Sequence, residues 1–243
     1  MNNDLKLAVL IDGDNIPSKY VKEMMQEIAK YGTPTIKRIY GDWTKPQLTS
    51  WKTILLQSAI TPIQQYSYTT GKNATDSAMI IDAMDILYSD KVDGFCLVSS
   101  DSDFTKLATR LREAGKTVYG IGEKKTPDPF IVACDKFIYL EILDIHESNE
   151  PSSSKTKKAT LEKVTPDLIR LLKNTVSDAA DDDGWAFLGD VGSLIIKKQP
   201  NFDPRNFGFE KLTPLFKSLD QFEIESREQG SKRFKLIYVR NKR

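Results

Sequence analysis

The chain has 243 residues, of which 40% are hydrophobic and 28% charged, and its formal net charge is +1. This is the composition of a folded protein with one large domain or two modest ones; no apolar run approaches the ~18 residues of a membrane span, and no signal peptide is visible. Two cysteines, Cys96 and Cys134, and one histidine without metal-like spacing argue against a zinc site or a disulfide scaffold. We therefore expect a cytoplasmic protein without membrane contact.

The first 147 residues alternate between strand-like and helix-like patterns. Short apolar runs predict strands, and longer segments with apolar residues every three or four positions predict helices. In chain order we expect a strand at 5–11, a helix at 19–31, a strand at 35–40, a helix at 49–59, a strand at 63–68, a helix at 74–88, a strand at 94–98, a helix at 104–114, and strands at 117–121 and 137–142. This alternation predicts an α/β fold with a mostly parallel sheet.

A linker is expected at residues 148–160, where serines, lysines and a proline replace the apolar periodicity. It separates a first domain at 1–147 from a second at 161–243. The second domain is predicted to hold helices at 166–176, 188–198 and 208–219, followed by strands at 222–226 and 233–239. Three helices followed by a β-hairpin indicate a small winged-helix domain.

Charge is divided unevenly between the two parts of the chain. Residues 1–147 hold 17 basic and 20 acidic residues, a balance of −3, whereas residues 148–243 hold 18 and 14, a balance of +4. An acidic domain joined to a basic one suits an enzyme that acts on a polyanion, although a solvated surface of mixed charge gives a similar count.

Acidic residues stand where strands of the predicted sheet end. Asp12 follows the first strand, Asp101 and Asp103 follow the fourth, and Asp76 begins the long helix. Ligands of parallel α/β sheets bind beyond the carboxyl ends of the strands, so these groups should converge. Clustered carboxylates repel one another, and Mg²⁺ or Mn²⁺ would remove that repulsion and promote phosphodiester hydrolysis. The alternative for Asp101 or Asp103 is a helix N-cap.

Four motifs occur in this order: Leu-Ile-Asp-Gly-Asp-Asn-Ile at 10–16, Arg-Ile-Tyr-Gly-Asp-Trp at 38–43, Thr-Asp-Ser-Ala-Met-Ile-Ile-Asp at 75–82, and Leu-Val-Ser-Ser-Asp-Ser-Asp-Phe at 97–104. Together they resemble the NYN domain family, the LabA-like branch of the PIN-like nucleases, over residues 5–145. The resemblance implies a Rossmann-like α/β sandwich and a ribonuclease that depends on Mg²⁺ or Mn²⁺.

The resemblance also implies roles for individual residues: three metal ligands, a fourth ligand or outer partner of the ion, and a residue that positions the site. The three metal ligands are Asp12, Asp76 and Asp101. Asp103 is the fourth ligand or outer partner, and Asn15 positions the site. Asp14, in the turn after the first strand, is expected to support them. Asp82 lies ~120° around the helix from Asp76, so we expect it to have a structural role.

The second domain resembles the OST-HTH, or LOTUS, domain over residues 161–240. The residues that carry this resemblance are the segments 181–188, 194–202 and 203–212. The resemblance implies binding of RNA or docking of a protein partner. Basic residues around the predicted helices and hairpin are expected to contact phosphates; they are Lys197, Lys198, Arg205, Lys211, Lys217, Arg227, Lys232, Arg233 and Lys235.

Weaker signals surround the predicted site. Three aromatic residues near the second strand are candidates for base stacking or for the core, namely Tyr40, Trp43 and Trp51. Three loop lysines are candidates for phosphate contacts or plain solvated residues, namely Lys72, Lys124 and Lys125.

Two other functions stay open at this point. One is an RNA-binding regulator that keeps the nuclease fold without catalysis. The other is a phosphatase with an aspartyl nucleophile, since Asp12 and Asp14 after an apolar strand also suit that chemistry. Whether the chain forms a homodimer stays open as well.

Overall fold

The computed structural model describes residues 4–66, 74–147, 161–229 and 234–242. The chain divides into two compact units, residues 1–157 and residues 158–243. The predicted linker at 148–160 lies outside the described residues. Within the described ranges, no helix combines the length and apolarity that a membrane crossing requires.

The first unit is built on a six-stranded sheet in the order β3-β2-β1-β4-β5-β6. Every neighbouring pair of strands is parallel, which confirms the predicted α/β fold. The strands are β1 Lys6–Asp12, β2 Thr33–Gly41, β3 Thr61–Gln64, β4 Gly94–Val98, β5 Thr117–Gly122 and β6 Lys136–Tyr139.

Helices connect these strands. They are α1 Val21–Ile28, α2 Thr49–Ser58, α3 Ala74–Ser89, α4 Thr105–Glu113 and α5 Asp128–Val132, with 3-10 turns at Ser18–Tyr20, Pro46–Leu48, Ser102–Phe104 and Leu140–Glu147. α3 packs against β1 and β2. The sequence did not predict α5, a five-residue helix too short to display a periodicity.

The core lies around the two central strands. Every residue of β4 is buried, as is every residue of β1 after Lys6. Both faces of a parallel sheet are covered by helices, so its inner strands are apolar throughout rather than alternating. The rigid centre of this sheet therefore ends at Asp12 on β1 and at the turn after Val98 on β4.

The second unit combines three helices with a small antiparallel sheet. The helices are α6 Pro166–Ala179, α7 Leu188–Lys198 and α8 Leu212–Lys217, and the strands are β7 Ala186–Phe187, β8 Phe222–Gln229 and β9 Phe234–Asn241. The sheet order is β7-β9-β8, and Leu172, Val191 and Phe216 are fully buried between helices and sheet. The predicted winged-helix arrangement is confirmed, and the two-residue strand β7 is added to it.

The predicted helix at 208–219 is wrong in its first half. Gly208 has a φ of 84°, a left-handed conformation that glycine adopts readily, and it ends a 3-10 turn at Pro204–Phe207. Asp203 caps that turn by accepting a hydrogen bond from the Arg205 backbone N–H at 2.9 Å. The following helix, α8, begins only at Leu212.

Candidate metal centre at the carboxyl edge of the sheet

Asp12 is the last residue of β1, and its side chain is fully buried. Its Oδ2 accepts hydrogen bonds from Asn15 Nδ2 at 2.6 Å and from Ser99 Oγ at 2.7 Å. Its Oδ1 is buried and has no hydrogen-bond partner among the described residues. Burial raises the pKa of Asp12, and the two hydrogen bonds to Oδ2 oppose that rise.

Three further carboxylates converge at this edge. Asp76 lies in the first turn of α3, and Asp101 and Asp103 lie in the turn after β4. One carboxylate oxygen from each of the three lies within 4.8 Å of the others. Asp76 and Asp101 are partly buried, whereas Asp103 is exposed. The structure therefore brings together three residues from the two segments that flank Asp12.

The charges of the site act on one another. Burial, followed by repulsion from four neighbouring carboxylates, raises the pKa of Asp76 to about 6. Those carboxylates belong to Asp12, Asp101, Asp103 and Asp14. Asp12 is not within the 4.8 Å group of three, yet its charge acts on Asp76. The predicted ligands thus form one electrostatically coupled cluster.

Asp101 has two functions in the local structure. It is the N-cap of the 3-10 turn at Ser102–Phe104, because its Oδ1 accepts a hydrogen bond from the Asp103 backbone N–H at 2.9 Å. The N-cap that the sequence offered as an alternative is therefore present. One oxygen of Asp101 serves as the cap, and the carboxylate also belongs to the acidic group.

Ser99 connects the two central strands at the site. This fully buried residue donates its Oγ–H to Asp12 Oδ2, and the same Oγ accepts a hydrogen bond from the Asp101 backbone N–H at 3.0 Å. Sequence reasoning did not select Ser99. The available signal was a serine directly after a buried strand, where a polar side chain needs a hydrogen-bond partner.

Asp14 lies at the edge of the cluster in the turn after β1. Its Oδ2 accepts a hydrogen bond from Thr75 Oγ1 at 2.9 Å, and Thr75 is the buried residue directly before Asp76. Gly13 keeps this turn close to β2, since a Cβ there would lie 2.8 Å from the Tyr40 carbonyl oxygen. Asp14 therefore joins the β1 turn to the start of α3.

Asp82 lies on α3 outside the acidic group. It accepts hydrogen bonds from Arg38 Nη1 and Tyr40 Oη, both on β2. Burial and the Asp82 carboxylate raise the pKa of the Tyr40 hydroxyl, which keeps it protonated as a donor. Asp82 thus fastens α3 to the sheet, as its position on the helix predicted.

Base stacking by the aromatic residues of this region is largely excluded. Tyr40 and Trp51 are core side chains with relative exposures of 0% and 1%. Trp43 is partly buried, and its Nε1 donates a hydrogen bond to the Ile63 carbonyl at 3.0 Å. For these residues the core alternative is correct.

The loop lysines differ from one another. Lys125 forms an ion pair with Glu123 at 2.5 Å, and the Lys124 backbone N–H donates to the Glu141 carboxylate. Lys72 lies outside the described residues.

The basic residues of the second unit fall into two groups. Arg205 pairs with the buried Asp203, Lys198 with Asp178, and Arg227 with Glu225, so these charges are neutralised locally. Among the described residues, the other group has no ion-pair partner; it consists of Lys197, Lys211, Lys217 and Lys235. Lys232 and Arg233 are outside the described ranges.

The donor set of the first unit fits a hard divalent cation. It offers carboxylate oxygens, and Mg²⁺ and Mn²⁺ prefer oxygen ligands. Among the described residues, the buried Oδ1 of Asp12 has no hydrogen bond that would compensate its desolvation, and burial together with repulsion from neighbouring carboxylates raises the pKa of Asp76. A cation would relieve both costs.

The parallel α/β sheet with its acidic carboxyl edge is consistent with a PIN-like domain, and a small winged-helix unit follows it along the chain. Residues 6–141, more than half of the chain, match the NYN domain, and the chain therefore belongs to the NYN domain family. Residues 159–234 match the OST-HTH/LOTUS domain, an RNA-binding domain. This family assignment leaves the aspartyl phosphatase without support.

Solved structures also resemble parts of the chain. A crystal structure of a protein of unknown function from Vibrio parahaemolyticus is 21% identical with a TM-score of 0.46, and the match covers 56% of this chain and 93% of that one. A solution structure of an uncharacterized protein from Nitrosomonas europaea is 33% identical with a TM-score of 0.30, covering 39% of this chain and 91% of that one. A solution structure from Chromobacterium violaceum is 33% identical with a TM-score of 0.27, covering 33% and 85%. No curated protein matches the chain.

Proposed function

We propose that the protein is a metal-dependent endoribonuclease, in which the first domain hydrolyses RNA phosphodiester bonds and the second domain binds RNA. The observation that supports this proposal is the acidic group of Asp76, Asp101 and Asp103 beside a buried Asp12 whose Oδ1 has no partner among the described residues. A helix cap explains one oxygen of Asp101, but no cap explains the whole group.

Four residues would hold Mg²⁺ or Mn²⁺, namely Asp12, Asp76, Asp101 and Asp103. Held by these residues, such an ion would polarise a phosphodiester, lower the pKa of a bound water and neutralise the charge of the leaving oxygen. The four carboxylates would bind the ion because its charge removes their mutual repulsion.

The remaining residues of the site orient these ligands. Asn15 and Ser99 both donate to Oδ2 of Asp12, which leaves Oδ1 as the oxygen for the ion. Their hydrogen bonds also favour the ionised carboxylate against the effect of burial. Thr75 and Asp14 hold the start of α3, and with it Asp76, close to the end of β1.

Cleavage of a labelled RNA in the presence of Mn²⁺, Mg²⁺ or EDTA tests the proposal. The wild type is compared with Asp101→Asn and with the control variant Asp85→Asn. Asp85 is an exposed residue of α3, and its exchange removes the same charge outside the acidic group. We expect metal-dependent cleavage by the wild type, a loss of at least about 100-fold in Asp101→Asn, since a charge at the reacting centre is removed, and little change in Asp85→Asn.

Equal persistence of the RNA with wild type and Asp101→Asn, while both still bind it, would reject the hydrolase. The protein would then be an RNA-binding regulator that keeps the nuclease fold.

A further inference from the structure

The second domain contains a groove between the start of α7, the start of α8 and strand β9. Its volume is about 350 Å³, at the lower end of the ~300–1,000 Å³ that ligand pockets span. This size suits a group of one or two rings rather than a helix. The lining residues are Phe187, Leu188, Gly189, Gly192, Leu212, Thr213, Lys235, Leu236 and Ile237.

The groove is apolar with two polar side chains. Thr213 and Lys235 are the polar members, and neither the Thr213 hydroxyl nor the Lys235 ammonium has a partner within the described part of the chain. Acidic side chains do not line it. An apolar slot with one hydroxyl and one cation complements a flat ring attached to a phosphate.

Strand β9 leaves one edge open at this groove. β7 pairs with β9 only at Tyr238 and Val239, so residues 235–237 have no strand on that side among the described residues. Successive residues of an antiparallel strand direct their backbone N–H and C=O groups to opposite sides, so alternate residues of this segment present such groups to the wall of an otherwise apolar slot, and the others face β8. Such groups match the polar edges of a nucleobase.

Phe187 forms a fixed aromatic wall of the groove. Its ring contacts the Tyr238 ring, with centroids 5.9 Å apart, on the outer face of the small sheet. An aromatic ring held in this way offers a flat surface on which any base can stack.

Two glycines of α7 line the groove, and Gly189 lets the Phe187 ring lie against the helix, because a Cβ there would be 2.5 Å from Phe187 Cε1. Gly189 and Gly192 are one helical turn apart, and glycine is unfavourable inside a helix relative to alanine. A Cβ at Gly192 would lie 3.1 Å from Leu212 Cδ2 on the opposite wall. A larger side chain at this position would displace Leu212 and occupy part of the slot.

We propose that this groove binds an unpaired nucleobase of single-stranded RNA, with Phe187 as the stacking surface and Lys235 at the adjacent phosphate. The inference rests on the RNA-binding part of the proposed function and specifies its substrate class. A paired base is held within a duplex, so double-stranded RNA would not enter the slot.

Binding of labelled RNA to the full chain in EDTA tests the groove without cleavage. The probes are a single-stranded oligonucleotide of mixed sequence and a fully paired duplex of equal length. Gly192→Leu should weaken single-strand binding by at least about fivefold, the effect of losing one stacked base, and should leave the duplex unchanged. Gly192→Ala controls for helix propensity and should have the smaller effect.

Lys235→Gln provides a second variant that fills no space. Removing one phosphate contact should lower the slope of log affinity against log salt by about 0.7 for a single strand. Lys242→Gln is the matched control, because Lys242 lies just beyond the opposite end of β9, roughly 24 Å from Lys235 at ~3.4 Å per residue. The control should keep the wild-type slope.

Several outcomes would overturn the inference. The first is wild-type affinity for the single strand in both Gly192→Leu and Lys235→Gln. The second is a loss of affinity for the duplex equal to the loss for the single strand. The third is occupation of the groove by a second copy of the chain without RNA, seen as concentration-dependent shifts of the Leu236 and Ile237 methyl signals in NMR spectra. If the wild type binds no RNA at all, the proposed function fails together with the groove. If the wild type binds RNA and the groove variants bind it equally well, only the inference about the groove fails.

Discussion

At the level of single residues, the two oxygens of Asp12 have different surroundings. Oδ2 accepts two hydrogen bonds, whereas Oδ1 is buried without a partner among the described residues. An unpaired buried oxygen on a charged group is costly unless a cation compensates it. This asymmetry suits Oδ1 as a metal ligand, and it leads to a stability test.

Asp12→Asn should abolish the stabilisation that Mn²⁺ gives to the wild type. The amide oxygen can replace Oδ2, which directs the amide N–H₂ towards the cation position and repels the ion. A ligand at 100 times its Kd stabilises a protein by about 2.7 kcal/mol, and this increment should vanish in the variant. Thermal unfolding with Mn²⁺ and with EDTA measures it, with Asp85→Asn as the control. A full Mn²⁺ increment in Asp12→Asn would contradict the assignment of Asp12 as a ligand.

Asp76 makes metal binding dependent on pH. Its pKa of about 6 means that it holds a proton in more acidic solution, and this proton competes with the cation. The increase of the unfolding temperature by Mn²⁺ should therefore be large at about pH 7.5 and should shrink as the pH falls through 6.

The same pKa shift affects the metal-free protein in the opposite sense. Because the pKa of Asp76 in the folded state exceeds its ordinary value of 3.8, the folded state binds this proton more tightly than the unfolded state does. The protonated group therefore stabilises the fold at low pH, and this stabilisation is lost as the pH rises from about 4 to about 6. In EDTA, Asp76→Asn should therefore be more stable than the wild type at neutral pH, and the difference should disappear near pH 4. Urea unfolding at the two pH values measures it. A wild type that is the more stable protein at pH 7 would contradict the destabilisation of the Asp76 carboxylate by burial and repulsion.

At the level of elements, Ser99 connects the ends of β1 and β4. Ser99→Ala would leave Asp12 Oδ2 with one donor fewer and the Asp101 backbone N–H without its acceptor. Each buried group left unsatisfied costs about 1–3 kcal/mol, so we expect a loss of at least about 1 kcal/mol in EDTA. Urea unfolding checks it against Ser102→Ala, an exposed serine of the same turn. A loss equal to that of the control would mean that Ser99 does not join the strands.

How well the sequence predicted an element depended on the length of its pattern. The strand at 94–98 and the helix at 188–198 have the predicted bounds, because each is a continuous apolar or periodic segment between clear ends. The two residues of β7 cannot display alternation, since their pairing with β9 depends on residues some fifty positions away. The helix at 208–219 failed because local turn geometry at Gly208 outweighs the apolar spacing.

The candidate site was also predicted only in part from the sequence. The topology of a parallel sheet predicts which strand ends meet, so the approach of Asp76, Asp101 and Asp103 was accessible from sequence. The hydrogen bonds that distinguish Oδ1 from Oδ2 of Asp12 were not, because they depend on atomic positions across strands. The partnered state of Lys125 and the burial of Trp51 also follow only from tertiary packing.

At the level of the whole molecule, each unit has its own hydrophobic core and its own charge balance. Truncation after residue 157 should therefore leave a folded first unit in which Mn²⁺ still raises the unfolding temperature. The truncated protein should bind RNA more weakly and with a flatter salt dependence, because every phosphate that is no longer neutralised by a lysine or arginine lowers the slope by about 0.7 for single strands. Anisotropy titrations at low and moderate salt compare it with the full chain. Equal affinities at both salt concentrations would mean that the first domain alone binds RNA, whereas loss of the Mn²⁺ effect would mean that the acidic site depends on the second domain.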